Sequence, residues 1–152
     1  MLPRFLFKGF LIRSDFWLKL LSLGKASGLT IFPFIFVGKQ IKNKAQLLNH
    51  ERIHIRQQIE TLFIIFFVLY FIEYFFHRFT KKPFEAYKAI SFEQEAYCND
   101  DNLNYLNNRK PYSFIKYYKK WRSKQSPSSY YWHWVHVNQT PSKRQSLTAT
   151  LS

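Results

Sequence analysis

Residues 50–54, His-Glu-Arg-Ile-His, place two imidazoles and a carboxylate at the spacing H-E-x-x-H. On a helix, His50 and His54 lie four residues and about 40° apart around the axis, so both rings can reach one metal ion. Glu51 sits one residue on, about 100° around, beside that ion but outside its ligand positions. A metal held there lowers the pKa of a coordinated water toward about 7, and Glu51 can take the proton. The chemistry suggested is hydrolysis by an activated water, with Zn2+ as cofactor, His50 and His54 as ligands and Glu51 as catalytic base. Gln57, Gln58 and Thr61 continue the metal-facing side with polar groups where packing would otherwise be expected. The competing reading is a charged helical turn whose His and Glu pair with Arg52 and Arg56.

Zinc at a catalytic site takes three protein ligands and leaves a fourth position open. No third His follows closely. Glu60 and Glu73 share the His50 helix and lie too far along its axis; His77 and Glu85 are further candidates. The segment SFEQEAYCND (91–100) offers two carboxylates, Glu93 and Glu95, on a separate helix.

Those residues constrain the elements that must carry them. Residues 43–79 contain neither Pro nor Gly and read as helix, with Asn43 as N-cap. Ser91-Phe92-Glu93-Gln94 has the form of a capping box opening a second helix over 91–108. A straight helix from His54 to Phe79 would run about 37 Å. Residues 80–90 span at most about 36–40 Å when fully extended. If FEAYKAI is itself helical, the long helix must bend within residues 60–76 to bring His54 and Glu93 together. Upstream, GLTIFPFIFVG (28–38) reads as an extended segment or edge strand containing Pro33. Beside a metal-bearing helix such a strand can hold an extended peptide by main-chain hydrogen bonds. The expected fold is mainly α: a few-helix bundle with a long HExxH helix, a second Glu-bearing helix and a short extended segment.

The chain carries 23 Lys and Arg against 9 Asp and Glu, a net charge of +14. Eight of nine acids fall in residues 50–108, between two basic flanks. The run LFIIFFVLYFI (62–72) is wholly apolar but shorter than the roughly 20 residues of a spanning helix. Residues 1–27, with charges recurring every few positions, read as an amphipathic interfacial helix rather than a cleaved signal. The expected location is a membrane, with the basic flanks on the cytoplasmic side of the cytoplasmic membrane. One domain over 1–122 and a basic, Ser- and aromatic-rich, loosely ordered tail over 123–152 are expected, the tail's His133 and His136 reading as an incidental pair. Cys98 is the only cysteine, so no internal disulfide forms. Other classes compatible with this composition are a non-catalytic membrane or scaffold protein with a vestigial site and, less favoured, a basic nucleic-acid binder.

HERIHIRQQIE, followed after a Phe/Tyr-rich stretch by AYKAISFEQEAYCND, resembles a group of small bacterial HExxH proteins of the gluzincin-like metallopeptidase type. The resemblance covers roughly residues 28–120. It implies a peptide or protein substrate, with the third zinc ligand a Glu on a second helix. The gluzincin pattern E-x-x-A-D, laid on Glu93-Gln94-Glu95-Ala96-Tyr97, selects Glu93 and puts Tyr97 in place of the Asp. The alternative frame selects Glu95 and places Asn99 one turn on, where it would orient a His ring.

Overall fold

The computed structural model describes residues 8–17, 28–39 and 43–122. Its elements are β1 (Phe10–Arg13), β2 (Gly28–Ile31), β3 (Phe34–Val37), α1 (Lys44–Glu60), α2 (Ile64–Arg78), α3 (Pro83–Lys88), α4 (Ser91–Asn99), α5 (Tyr105–Asn108) and α6 (Ile115–Arg122). The described residues are mainly helical, with one small three-stranded sheet among them.

The sheet has the order β1-β3-β2, with β3 central, β1 parallel to it and β2 antiparallel. The apolar stretch 28–38 is therefore a hairpin rather than one strand, turning at a cis Phe32–Pro33 bond. The amphipathic helix expected over 1–27 does not run through 10–13. There, Phe10-Leu11-Ile12 pair in register with Phe34, Ile35 and Phe36, because aromatic and β-branched side chains fit a pleated surface. Among the described residues of that stretch, 15–17 are helical. Residues 1–7 and 18–27 of it, and the whole 123–152 tail with His133 and His136, lie outside the described residues.

Helix α1 begins where Asn43 accepts a hydrogen bond from the Gln46 N–H, as its N-cap position requires. One side of α1 packs Ile55, Leu47, Leu48 and Ile59 on Ile35 and Val37 of the sheet. The helix expected over 43–79 is broken at 61–63. The Phe63 N–H bonds Gln58 O at 2.7 Å, the Leu62 N–H points back to Ile59 O, and Leu62 and Phe63 both have positive φ. This is a Schellman-type ending built without glycine. The two helices meet at 112°.

The turn sends α2 back across α3 and α4. Phe66 of α2 meets Ile90, Phe92 and Phe114 in a second core, flanked by Tyr70, Tyr74 and Tyr87. Helix α4 starts one residue earlier in character than a capping box would place it: Ser91 is already helical, and Ile90 is the cap. Its orphan N–H and hydroxyl are both satisfied by the Glu73 carboxylate, at 2.6 and 2.7 Å. The helix expected over 91–108 stops at Asn99, and 105–108 form a separate turn.

Phe92 is fully buried at the junction of α2, α4 and the 112–118 segment, touching Phe66 and Phe114 rings at 4.6 and 4.3 Å. Phe92→Ala is expected to cost about 3–5 kcal/mol, while Phe75→Ala, at a side chain 62% exposed, should change stability by about 0.5 kcal/mol or less. Chemical denaturation of the two variants checks the contrast.

Candidate metal centre

His50, Glu51 and His54 are all buried on α1, and Glu93 is buried on α4. The structure brings three of them into one cluster: a ligand atom from each of His50, His54 and Glu93 lies within 4.8 Å of the others. The two Nε2 atoms are 3.1 Å apart. His50 Nε2 is 3.4 Å from one Glu93 oxygen and His54 Nε2 is 3.4 Å from the other. For a tetrahedral ion with bonds of 2.0–2.1 Å, ligand atoms sit about 3.3–3.4 Å apart. Each imidazole nitrogen stands at about that distance from its own oxygen of the Glu93 carboxylate, so this buried group can hold a metal ion. Glu93 Oε2 has no hydrogen-bond partner of its own although it is sealed from solvent, as a carboxylate oxygen reserved for a cation would be.

The orientation of His54 follows from its neighbour one turn on. His54 Nδ1 is 2.7 Å from Gln57 Oε1, an atom that can only accept, so Nδ1 carries the hydrogen and Nε2 keeps its lone pair when the ring is neutral. Gln57 cannot flip, because its amide nitrogen donates to Phe92 O at 3.1 Å and to Glu95 Oε2 at 3.0 Å. Glu95 in turn accepts from Tyr105 Oη at 2.8 Å and from Arg109 Nε at 2.6 Å, and Arg109 also pairs with Glu60. A chain of polar contacts thus runs from the imidazole to a buried guanidinium. It also occupies Glu95, which faces Gln57 and Arg109 and not the two histidines.

His50 is oriented from the other end of α4. Its Nδ1 lies 3.6 Å from Asp100 Oδ2, while Asp100 Oδ1 accepts from Gln46 Nε2 at 2.8 Å. Asn99 does not take this part. Its amide bonds Glu95 O and Tyr117 Oη, because the helix ends there and the carboxylate of the next residue turns toward His50. Tyr97 is at the site through its ring, packed edge-on to His50 at 4.4 Å, with its hydroxyl 3.4 Å from that of Tyr87. Tyr70 donates to Glu93 Oε1 at 2.8 Å, holding the carboxylate from the α2 side.

Glu51 points toward the sheet edge. Its Oε2 accepts from Thr30 Oγ1 at 2.6 Å, and a Cβ at position 28 would overlap its Oε1, so a larger residue than Gly28 would displace the Glu51 carboxylate. Gln58 ties the same strand down, donating to Thr30 O at 2.9 Å and accepting from the Phe32 N–H at 2.7 Å. The adjacent glutamines thus serve opposite sides of α1, one the imidazole and one the strand. Their polarity on a packed helix was visible in the sequence; Arg109, Asp100, Thr30 and Tyr70 carried no local signal.

Burial alone would lower the pKa of His50, but Asp100 and Glu93 outweigh it and lift the value to about 9. His54 is raised as well, with burial opposed by the Glu93 charge, and the Glu51 charge adds to both shifts. Glu93 is held well below the usual carboxylate range: burial would raise it, and the two histidines overrule that.

No family model, curated protein or solved structure matches this chain. The geometry therefore carries the assignment of the site by itself.

Protons and a metal compete for the same lone pairs. In the metal-free protein the folded pKa of His50 lies above its unfolded value of 6.5. That stabilisation is complete below pH 6.5 and is lost as pH rises through about 9. A bound divalent metal requires the unprotonated rings and reverses the slope. Melting temperatures of chelator-treated protein are expected to fall across this window, and those of the metal-saturated protein to rise relative to them. Glu93→Gln is expected to weaken metal binding by at least an order of magnitude, measured by competition with a chromogenic chelator. Glu95→Gln, which leaves the ligand triangle in place, should weaken it less.

Proposed function

We propose that this protein is a zinc-dependent hydrolase of the gluzincin type, acting on peptide bonds. The observation that carries the reading is the buried cluster of His50, His54 and Glu93, whose ligand atoms lie within 4.8 Å of one another, with a second buried carboxylate, Glu51, on the same helix as the two histidines. Two neutral imidazoles and one carboxylate suit Zn2+ and leave a coordination position for water or substrate. When bound, the ion would supply a Lewis acid that polarises a carbonyl and makes a water acidic near neutral pH.

The remaining work falls to the chain's own groups. His50 and His54 present Nε2 because Asp100 and Gln57 engage Nδ1. Tyr70 and burial keep Glu93 in a single orientation. Glu51 is the proton acceptor: it carries no ligand role, it is close enough for its charge to raise both histidines, and Thr30 fixes its carboxylate through Oε2. After bond cleavage the same carboxyl group can return the proton to the leaving amine. The site sits between α1, α4 and the β2 strand, and β2 lies at the edge of the sheet. An edge strand beside the catalytic helix supports an extended peptide as substrate, through main-chain groups other than Thr30 O and the Phe32 N–H, which Gln58 holds.

Glu51→Gln tests the reaction separately from the site. The amide is nearly isosteric and can still accept from Thr30, so metal content should stay at the wild-type level. It cannot take a proton at neutral pH, so hydrolysis should fall by about 10²–10⁴-fold. The assay is a panel of unfolded and membrane-derived peptides read by mass spectrometry, with and without chelator. Chelator-sensitive cleavage that survives Glu51→Gln undiminished would remove Glu51 from the mechanism. A wild-type protein that binds metal and cleaves nothing in the panel would leave a structural metal site and overturn the hydrolase reading.

A further inference from the structure

Helix α2 has its amphipathicity inverted. Of its residues only Phe66 and His77 are buried. Its polar side chains before the terminal, exposed Arg78 turn inward: Glu73 caps Ser91, Tyr70 bonds Glu93, and His77 is buried. The opposite face shows Ile64, Val68, Phe71, Ile72, Phe75 and Phe76 to solvent, each more than half exposed. These positions fall within one broad stripe at helical spacing, and no polar residue interrupts it. Phe71, Phe75, Phe76 and, just past the helix, Phe79 are 53%, 62%, 71% and 87% exposed. At about 150–250 Å² for a phenylalanine, these four alone present about 400–700 Å². The largest apolar patch of a typical soluble monomer is about 300–600 Å² in total.

We infer that this face docks the protein on an anionic lipid bilayer, with α2 lying in the plane of the membrane surface. A protein partner is a poorer match. Protein interfaces carry about one hydrogen bond per 100–200 Å², and the outward stripe of α2 offers no side-chain donor or acceptor. A second copy docking face to face would also bring together like charges from chains of net charge +14. A bilayer asks for no hydrogen bonds within its acyl region and favours cations at its edge. Arg78, Lys81 and Lys82 stand at the C-terminal end of the stripe. At its N-terminal end the apolar surface continues through Leu62, Ile65 and Leu69 into a cleft shared with Tyr112, Ile115 and Tyr118, whose acids Glu60 and Glu73 are engaged by Arg109 and Ser91; Lys110 and Lys116, close to these tyrosines along the chain, are exposed. Tyrosines and lysines at the rim of an apolar face are the composition of a membrane interface.

The arrangement is in-plane rather than spanning. The 15 residues of α2 extend about 22 Å, short of the roughly 30 Å hydrocarbon core. No single helix among the described residues is long and apolar enough to cross a membrane. The inference does not depend on hydrolysis: it concerns the side of α2 away from the metal centre.

The experiment is flotation of the full-length protein with vesicles of phosphatidylcholine mixed with phosphatidylglycerol. The variant is Ile72→Glu/Phe76→Glu, at two exposed positions, with metal content as the check on folding. The wild-type protein should float with the mixed vesicles. The double variant should partition on the order of a hundredfold less while keeping its metal. A second measurement needs no disruptive change: Phe75→Trp should gain a fluorescence component quenched by lipids brominated on their acyl chains. Equal flotation of wild type and double variant overturns the inference. So does a tryptophan at 75 that brominated lipid leaves unquenched, or a lipid-free dimer that the double variant dissociates.

Discussion

Two imidazole nitrogens 3.1 Å apart, facing a buried carboxylate, form the interaction on which the rest of this structure depends. Two bare lone pairs at that distance repel, and a buried carboxylate without a counter-charge costs several kcal/mol. The cluster is stable only with positive charge at its centre, as protons on the rings or as a metal ion. That requirement explains why the surroundings are so fully specified. Gln57 can face His54 with its oxygen only because Phe92 O and Glu95 hold its nitrogen. Glu95 can be buried only because Arg109 and Tyr105 neutralise and bond it. Arg109 reaches Glu60 at the end of α1, so the polar chain closes on the helix from which it started.

The bend at 61–63 makes this geometry possible. A straight helix with an extended return could just bring Glu93 to His54; because residues 83–88 are helical, the long helix has to turn back, and the expected place is within residues 60–76. Its place was hidden, because the left-handed positions that glycine normally fills are occupied by Leu62 and Phe63. Each costs of order 1 kcal/mol or more. The offset comes from both sides of the break. Thr61 Oγ1 bonds Gln57 O, Glu60 accepts from the Tyr112 N–H, and Phe66 anchors the next helix among Ile90, Phe92 and Phe114. Tertiary packing chose a turn that local propensity does not announce.

The same division separates what was legible at the site from what was not. His50, Glu51 and His54 are related by helical spacing alone, so a five-residue stretch specifies them. Glu93 and Glu95 are two residues apart and point to opposite faces of α4, so one meets the histidines and the other Arg109. Which does which depends on the rotation of α4, set by Glu73 at its first turn and by buried Phe92 and Ala96. The Ala96 register indicates Glu93, and in the structure Glu93 is the carboxylate beside the histidines. Asn99 was expected to orient a histidine; the helix ends there and Asp100 does so, a one-residue difference decided by where the backbone leaves the helix. The N-terminal helix misread over 10–13 has a similar cause. A four-residue strand is specified by its partner β3 and not by its own periodicity.

Helix α2 joins the metal centre to the outer surface. Its inner face supplies the Tyr70 hydroxyl to Glu93 and the Glu73 carboxylate that starts α4, and Phe66 packs its ring edge toward His54 at 6.2 Å. Its outer face leaves apolar side chains uncovered along the whole length of the helix. In water, hydrophobic burial would favour rolling α2 to hide that face, and the roll would pull Tyr70 and Glu73 away from the residues they position. The inward hydrogen bonds resist it with only about 0.5–1.5 kcal/mol each, somewhat more where a carboxylate accepts. An apolar environment on the outer side removes the drive to roll. Covering α2 and holding Glu93 in place are therefore the same requirement seen from two sides of one helix.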